Sequence, residues 1–111
     1  MHTDYEDDVS ELFNGQKSTP ENLYWHAFEV IKDRWPEAEP TIMKVSRWAV
    51  YYADNVINGR WPEAEPHIMK NPEWASYYAK YIIKGRWLEA EPHIIKNRLE
   101  WRYYCEHFGI S

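Results

Sequence analysis

Residues 34–40 read RWPEAEP, and the same seven residues return at 60–66. A third copy with one change, RWLEAEP, stands at 86–92. The spacing is constant, because 60 − 34 = 26 and 86 − 60 = 26. The match extends beyond the string, since the first and second 26-residue blocks share 17 positions and the second and third share 12. Self-similarity at a fixed period indicates a tandem-repeat fold.

The period divides the 111 residues into a leading segment and three repeats. We expect an acidic N-terminal helical cap at 1–33, repeat 1 at 34–59, repeat 2 at 60–85, and repeat 3, serving as the C-terminal cap, at 86–111. The leading segment ends in a half-repeat, 23–33, which aligns with the second half of repeat 1. A unit of 26 residues cannot bury its own apolar face, so the units are expected to stack as one folded domain.

Each repeat predicts two helices, of which the second is the clearer. In repeat 2, Asn71 can cap this helix, Pro72 suits its first position, and Glu73 meets the positive end of the helix dipole. Apolar residues then follow at helical spacing. Gly85 is expected to supply a left-handed stop, as Gly59 does in repeat 1.

The first helix of each repeat is shorter because it contains two prolines. Pro62 and Pro66 are four residues apart and cannot both lie inside regular helix. The pattern predicts a turn over 62–65 followed by a helix over 66–70, or a bent helix from Pro62. Before the repeats, Thr19 begins a helix running to about Lys32, and an amphipathic helix is predicted over 4–13.

Equivalent positions form columns that favour stacking. The fold class that follows is all-α, a short solenoid-like array of two-helix units. One column is small, another has a large tryptophan only in the last repeat, and a third is aliphatic or aromatic, as expected for a core. In that order the columns are Ala27, Ala53, Ala79 and Cys105; Leu23, Ala49, Ala75 and Trp101; and Val30, Val56, Ile82 and Phe108.

Charge is distributed unevenly along the chain. Lys plus Arg is 13 and Asp plus Glu is 18, so the net charge is −5, which argues against a nucleic-acid binder that relies on bulk charge. Residues 1–33 carry two basic and eight acidic groups, so the excess acidity lies before the repeats. The acidic group at the start, Asp4, Glu6, Asp7, Asp8 and Glu11, is either a solvated cap or a surface that engages a basic partner or mimics DNA phosphates.

No residue pattern predicts catalysis, a metal site or a cofactor. The carboxylate pairs, such as Glu63 and Glu65, recur in every repeat, whereas a catalytic pair needs one special environment. They are expected to pair with arginine or to cap helices. His67 and His93 have Thr41 in the equivalent place, which breaks the series. Cys105 lies in the small column and is expected to act as a small hydrophobe.

Three repeated columns are candidates for binding a partner: Arg34, Arg60 and Arg86; Lys44, Lys70 and Lys96; and the tyrosines Tyr52, Tyr78 and Tyr104. Tyrosine is enriched at binding hot spots, and stacked aromatics with basic residues can also hold single-stranded nucleic acid. The alternative is that the aromatics fill the core and the basic residues pair with glutamate. Adjacent tyrosines on a helix point about 100° apart, so one of each pair is expected to be less buried.

The repeated string also resembles a known kind of sequence. It is similar to tandem units of the form GRWPEAEPxIxKxPxxAxxYAxxVI in short-repeat proteins of tailed bacteriophages and large DNA viruses. The match is strong over 59–70 and 77–79 and decays in repeat 3, where Leu88 and Arg98 replace prolines of the pattern. The resemblance implies a viral origin and a helical-repeat fold, and it implies no enzyme.

These observations predict a non-enzymatic module that binds another protein. With the resemblance, the partner is expected to be a host factor that a virus-encoded protein modulates or inhibits, in the cytoplasm of the host cell. The alternatives are nucleic-acid binding along the basic and aromatic columns, DNA mimicry by the acidic N-terminal helix, and self-association. No apolar stretch is long enough to cross a membrane, and we expect no secretory signal.

Overall fold

The computed structural model describes residues 19–110, and over that range the chain is helical with no strand. The predicted all-α array with a period of about 26 residues is confirmed. The predicted helix over 4–13 and its acidic residues lie outside the described range. Within that range, no helix has the length and apolar character that a membrane crossing requires.

Long and short helices alternate along the chain. In chain order they are α1 Pro20–His26, α2 Glu39–Ile42, α3 Ser46–Tyr52, α4 Glu65–Ile68, α5 Pro72–Tyr78, α6 Glu91–Ile94 and α7 Arg98–Phe108. Each short helix packs against the long helix that precedes it and the long helix that follows it. Successive long helices also pack on one another, which is how the units stack.

Side-chain caps hold the starts of α1, α5 and α7, whereas α3, which follows Val45, has no side-chain cap. The Thr19 hydroxyl accepts a hydrogen bond from the Asn22 amide at 3.1 Å, and the Asn71 side chain accepts one from the Trp74 amide at 3.1 Å. Asn97 caps α7 in the same way, although Arg98 stands where repeat 2 has proline. These caps satisfy amides that lack a partner inside the helix.

The short helices begin before the predicted start at residue 66. Their geometry is closer to the alternative of a bent helix from Pro62. In repeat 2 a 3₁₀ turn, Pro62–Ala64, leads directly into α4, which starts at Glu65. Pro62 opens the 3₁₀ turn and Pro66 is the second residue of the α-helix. Both prolines therefore stand in first turns, where the missing N–H costs no helical hydrogen bond. Repeat 3 keeps this arrangement with Leu88 in place of proline.

The prediction that Gly59 and Gly85 supply the left-handed stops is wrong. The left-handed residues are Lys32, Asn58 and Lys84, with φ of 60°, 64° and 64°. They follow π-helical turns that extend the long helices at Ala27–Ile31, Ala53–Ile57 and Ala79–Ile83. In the last of these, the amides of Lys84 and Gly85 both donate to the Ala79 carbonyl, at 2.8 and 3.2 Å. The π-helical turn thus places the left-handed conformation at Lys84, one residue before Gly85.

The last repeat ends differently, because α7 remains a regular α-helix to Phe108. Gly109 follows with a φ of 69° and is the left-handed residue there. Its amide reaches back to the carbonyl of Cys105, the residue equivalent to Ala79. The span from that carbonyl to the left-handed residue is therefore one residue shorter in repeat 3.

The core repeats with the units. Its side chains include Trp35, Trp61 and Trp87; Ala38, Ala64 and Ala90; Ile42, Ile68 and Ile94; and Tyr52, Tyr78 and Tyr104. The small column is confirmed at Ala27, Ala53 and Ala79, which are fully buried where neighbouring elements meet. The third predicted column is wrong at its first member, because Val30 is 64% exposed.

The left-handed lysines provide a test of the helix ends. Lys84→Gly is expected to raise the free energy of unfolding by about 1 kcal/mol, because a side chain with Cβ is disfavoured in the left-handed region. Lys80→Gly, inside the preceding helical turn, should lower it by about 1 kcal/mol. Urea denaturation followed by circular dichroism measures both. Equal effects of the two substitutions would contradict the assigned end of this helix.

Candidate functional site

A buried tyrosine hydroxyl joins the two helices of each repeat. In repeat 2, the Tyr78 hydroxyl accepts a hydrogen bond from the Trp61 amide at 2.7 Å and donates one to Glu65 Oε2 at 2.8 Å. Arg60 donates to both oxygens of Glu65, at 2.8 and 2.9 Å. The arginine thus fixes the position of the carboxylate, and the carboxylate accepts a hydrogen bond from the tyrosine. The tyrosine in turn satisfies a buried backbone amide.

The same four-residue network recurs in the other two repeats. Its members are Arg34, Trp35, Glu39 and Tyr52 in repeat 1, and Arg86, Trp87, Glu91 and Tyr104 in repeat 3. The distances from the tyrosine hydroxyl to the tryptophan amide are 2.7 Å in both. The repeated polar string is therefore the internal joint of each unit.

The network shifts the pKa values of its members. Burial raises the pKa of Tyr104 to about 12, and the hydrogen bond to Glu91 contributes to the rise. Burial also raises the pKa of Tyr52 and of Tyr78. For Glu91, the hydrogen bond from Arg86 lowers the pKa. Burial raises the pKa of Glu65, but the hydrogen bonds from Arg60 and Tyr78 outweigh it, so the net shift is downward.

Two of the three predicted binding columns belong to this network. Tyr52, Tyr78 and Tyr104 are fully buried, so the prediction that they form a binding surface is wrong. Each hydroxyl is held on the protein's own amide and carboxylate, which leaves no face for a partner. Arg34, Arg60 and Arg86 remain half-exposed, but each is forked on a glutamate of its own repeat.

The remaining predicted residues have different positions. Lys44, Lys70 and Lys96 are exposed, each two residues after a short helix ends. The acidic group Asp4, Glu6, Asp7, Asp8 and Glu11 lies outside the described range. Of the histidines, His67 is exposed and His93 is half-buried. In the part of the chain that the structure describes, no three His, Cys, Asp or Glu side chains are grouped to hold a metal ion.

A surface of aromatic rings runs across the long helices, and we call it the aromatic face. Its members are Trp25, Phe28, Trp48, Tyr51, Trp74, Tyr77, Tyr81 and Tyr103. Trp48 meets Tyr51 at 5.3 Å between ring centroids, and Tyr51 meets Trp74 of the next unit at 5.6 Å. Both pairs are edge-to-face, the geometry that aromatic quadrupoles favour. The contacts therefore continue from one repeat to the next.

The face reaches both ends of the described array. At its start, Tyr24 contacts Trp25 at 4.9 Å and Trp48 at 5.6 Å. At its other end, Tyr77 contacts Tyr81 at 4.7 Å, and Tyr81 contacts His107 of α7 at 6.1 Å. The ends are the more accessible part, since Trp25 is 40% exposed and Tyr81 is 52% exposed.

Shallow clefts border the face. One of about 210 Å³ is lined by Arg47, Glu73, Trp74 and Tyr77. Another, of about 180 Å³, lies where the ends of two long helices meet and is lined in part by Asp54, Tyr81 and Lys84. A cleft of about 200 Å³ is bordered by the equivalent residues of the preceding joint, among them Phe28, Asn55 and Asn58. The clefts thus follow the period of the array.

The sequence reasoning missed most of this face, although a signal was available. Trp74, Tyr77 and Tyr81 have spacings of three and four residues, which places them on one side of a helix. Trp48 and Tyr51 show the same spacing in repeat 1. Tyr78 lies one position further along and points into the core. The helical positions of the outer aromatics relative to the buried small column therefore distinguish the outward-facing tyrosine of each pair from the one in the core.

No protein-family model matches the sequence, and no curated protein and no solved structure shows significant similarity to it.

The joint can be tested by removing one hydroxyl. Tyr78→Phe is expected to lower the free energy of unfolding by about 1–3 kcal/mol, because it leaves the buried Trp61 amide without its acceptor. Tyr77→Phe removes the same atom from the adjacent, half-buried ring and serves as the control. Urea denaturation of both variants measures the difference. A Tyr78→Phe protein as stable as Tyr77→Phe would contradict the assigned joint.

The pKa shifts predict loss of stability at both ends of the pH scale. The pKa values of Glu65 and Glu91 are lowered from 4.5, so their contribution is complete above pH 4.5 and is lost as the pH falls below it. The pKa of Tyr104 is raised from 10.0 to about 12, so its contribution is complete below pH 10.0 and is lost as the pH rises towards 12. Urea midpoints measured across the pH range should fall at both ends.

Glu65→Gln isolates the acid limb. The variant should be less stable than the parent at neutral pH and should lose less stability on acidification. Glu63→Gln changes an exposed carboxylate in the same repeat and is expected to keep the acid dependence of the parent. An unchanged acid limb in Glu65→Gln would contradict the role assigned to this carboxylate.

Proposed function

We propose that the protein is a non-enzymatic helical-repeat module that docks another protein on its aromatic face. The observation that carries the proposal is the continuity of the rings across units. Edge-to-face contacts link Trp48, Tyr51 and Trp74 between two repeats, and the chain of contacts extends on to α7. Rings that support one another are held in place before a partner arrives, so less conformational entropy is lost on binding.

The exposure of the face supports the same proposal. Tryptophan and tyrosine supply large contact area with few rotatable bonds, and they are enriched at the centres of protein interfaces. Phe28 is 41% exposed and Tyr103 is 46% exposed, at opposite ends of the face. Two other outer positions differ between repeats, one occupied by Trp48, Trp74 and Glu100 and the other by Asn55, Tyr81 and His107, whereas the internal network is the same in all three. A surface that varies over a constant framework suits recognition of one particular partner.

The internal ion pairs weaken the nucleic-acid alternative. Phosphate binding needs positive charge that is free to release counterions. Each arginine of the repeated column is instead neutralised by a glutamate of its own unit. The exposed lysines keep this alternative open for testing, and steeply salt-dependent binding of labelled oligonucleotides would favour it. DNA mimicry depends on acidic residues outside the described range.

The resemblance to viral repeat proteins adds a finer proposal about the partner. On that resemblance, the partner is a protein of the host cell, and the module modulates or inhibits it. The cytoplasm of the host is then the compartment in which they meet.

Affinity capture with matched variants tests the proposed function. Three proteins are immobilised: the unchanged full chain and two double variants. The first variant, Tyr81→Ser/Tyr103→Ser, alters the aromatic face, and the second, Leu88→Ser/Ile95→Ser, alters the segments of the short helices. Both double variants remove exposed apolar side chains. We expect a stoichiometric protein from host extract that the parent and the second variant retain and the first variant loses. A partner retained equally by all three proteins would refute docking on this face.

A further inference from the structure

Two of the chain's own cations lie over rings of the aromatic face. The guanidinium of Arg47 is 6.0 Å from the centroid of the Trp74 ring, and the ammonium of Lys80 is 5.9 Å from that of Tyr103. Each contact crosses from one unit to the next. A cation above an aromatic ring is attracted by the negative π-face. These two contacts show that rings of this face attract a positively charged group.

Carboxylates lie among the same rings. Glu73 lines a cleft together with Arg47, Trp74 and Tyr77. Asp54 acts electrostatically on Tyr24 and Tyr77, and it contributes to the raised pKa of both. The carboxylates therefore flank the rings on successive helices, where a cation seated on a ring would also meet a negative charge.

The surroundings of Glu100 show that the neighbouring Lys80 only partly compensates the negative charge of the carboxylates on this face. The side chain is half-buried on α7. Burial raises its pKa, and Glu73 raises it further, whereas Lys80 lowers it without reversing the shift. A carboxylate in this state is stabilised by an additional positive charge. The other nearby lysines, Lys32 and Lys84, lie at the border of the face, in the clefts at the helix ends.

We infer that the aromatic face binds an arginine-rich segment of its protein partner, seating guanidinium groups on the rings beside Asp54, Glu73 and Glu100. This inference rests on the proposed docking of a protein at that face. Arginine fits better than lysine, because its planar group stacks on an aromatic ring and forks onto a carboxylate at the same time. The ring supplies the contact area, and the carboxylates select for positive charge.

The geometry of the array limits the length of the segment. Four long helices side by side, at about 8–10 Å between axes, place the outer two about 25–30 Å apart. An extended chain rises about 3.3 Å per residue, so about nine residues span the face. Alternate residues of an extended chain point to the same side. A peptide of about nine residues with arginine at alternate positions is therefore the matching probe.

Calorimetric titration of the full chain with three peptides tests the inference. The first alternates arginine and serine, the second replaces arginine with uncharged citrulline, and the third replaces it with glutamate. We expect the arginine peptide to bind at low salt and the other two to show no binding. Binding by the arginine peptide should weaken as salt is added.

Matched charge variants separate the face from a general attraction to an acidic protein. Glu73→Gln/Glu100→Gln and Glu63→Gln/Glu89→Gln each remove two negative charges, the first pair at the aromatic face and the second on the 3₁₀ turns. The first variant is expected to bind the arginine peptide about tenfold more weakly than the parent, and the second about as tightly as the parent. Equal weakening by both variants, or equal binding of the citrulline peptide, would overturn the inference.

The result is distinguishable from failure of the proposed function. A captured protein that depends on Tyr81 and Tyr103, and that the arginine peptide does not displace, would overturn the arginine inference and leave docking on the face intact. A captured protein displaced by the arginine peptide and not by the citrulline peptide would support both. Capture that is independent of Tyr81 and Tyr103 would refute the proposed function whatever the peptides do.

Discussion

The buried tyrosine hydroxyl between the two helices of each repeat is the contact on which the architecture depends. In repeat 2, Tyr78 takes the Trp61 amide as donor and the Glu65 carboxylate as acceptor, while Arg60 holds that carboxylate in place. An unpaired buried amide or hydroxyl would be costly, so the members are tied to one another. This explains why a motif that is partly charged is repeated so closely. The arginine, tryptophan and glutamate must lie at the start of a short helix, and the tyrosine must follow 17 residues after the tryptophan.

The prolines fit this arrangement, because they let the short helix begin abruptly. Pro66 follows Glu65 in the first turn of α4, where it removes no hydrogen bond from the helix. The carboxylate is thereby placed at a helix start and is directed to a tyrosine on the next helix. Repeat 3 keeps the network although Leu88 replaces the earlier proline. The network therefore does not need the first proline, whereas the second proline and the glutamate are kept in all three repeats.

Much of the array was predictable from the sequence, because repeated columns report burial directly. The small column at Ala53 and Ala79 and the capping residue Asn71 were identified from their positions alone. The ends of the long helices were not, since a π-helical turn adds one residue without any marker in composition. Asn58 and Lys84 therefore hold the left-handed conformation that glycine was expected to hold. The intrinsic preference of glycine for the left-handed region did not decide where the helix ends.

The candidate surface was harder to predict for a related reason. Tyr77 and Tyr78 are adjacent in sequence and chemically identical, so composition cannot say which one faces outward. Which tyrosine is more exposed depends only on how the helix is rotated relative to its buried column. The prediction of Tyr52, Tyr78 and Tyr104 as surface residues was wrong by one residue, because the preceding tyrosine of each pair is the more exposed one. The arginine column was misleading in another way. An exposed cation at every repeat resembles a binding stripe, yet its hydrogen bonds are used within the unit.

The internal joint and the aromatic face thus lie on different sides of the same long helices. The inward side is the same in every unit, because the tyrosine, the tryptophan amide and the glutamate must meet at fixed distances. The outward side has no such requirement, and there Trp48 and Trp74 give way to Glu100, while Asn55, Tyr81 and His107 alternate at another equivalent position. Changes at these outer positions alter shape and charge without breaking the joint inside. The stack can therefore keep one framework and present a surface whose rings and carboxylates differ from unit to unit, as selective binding of one partner requires.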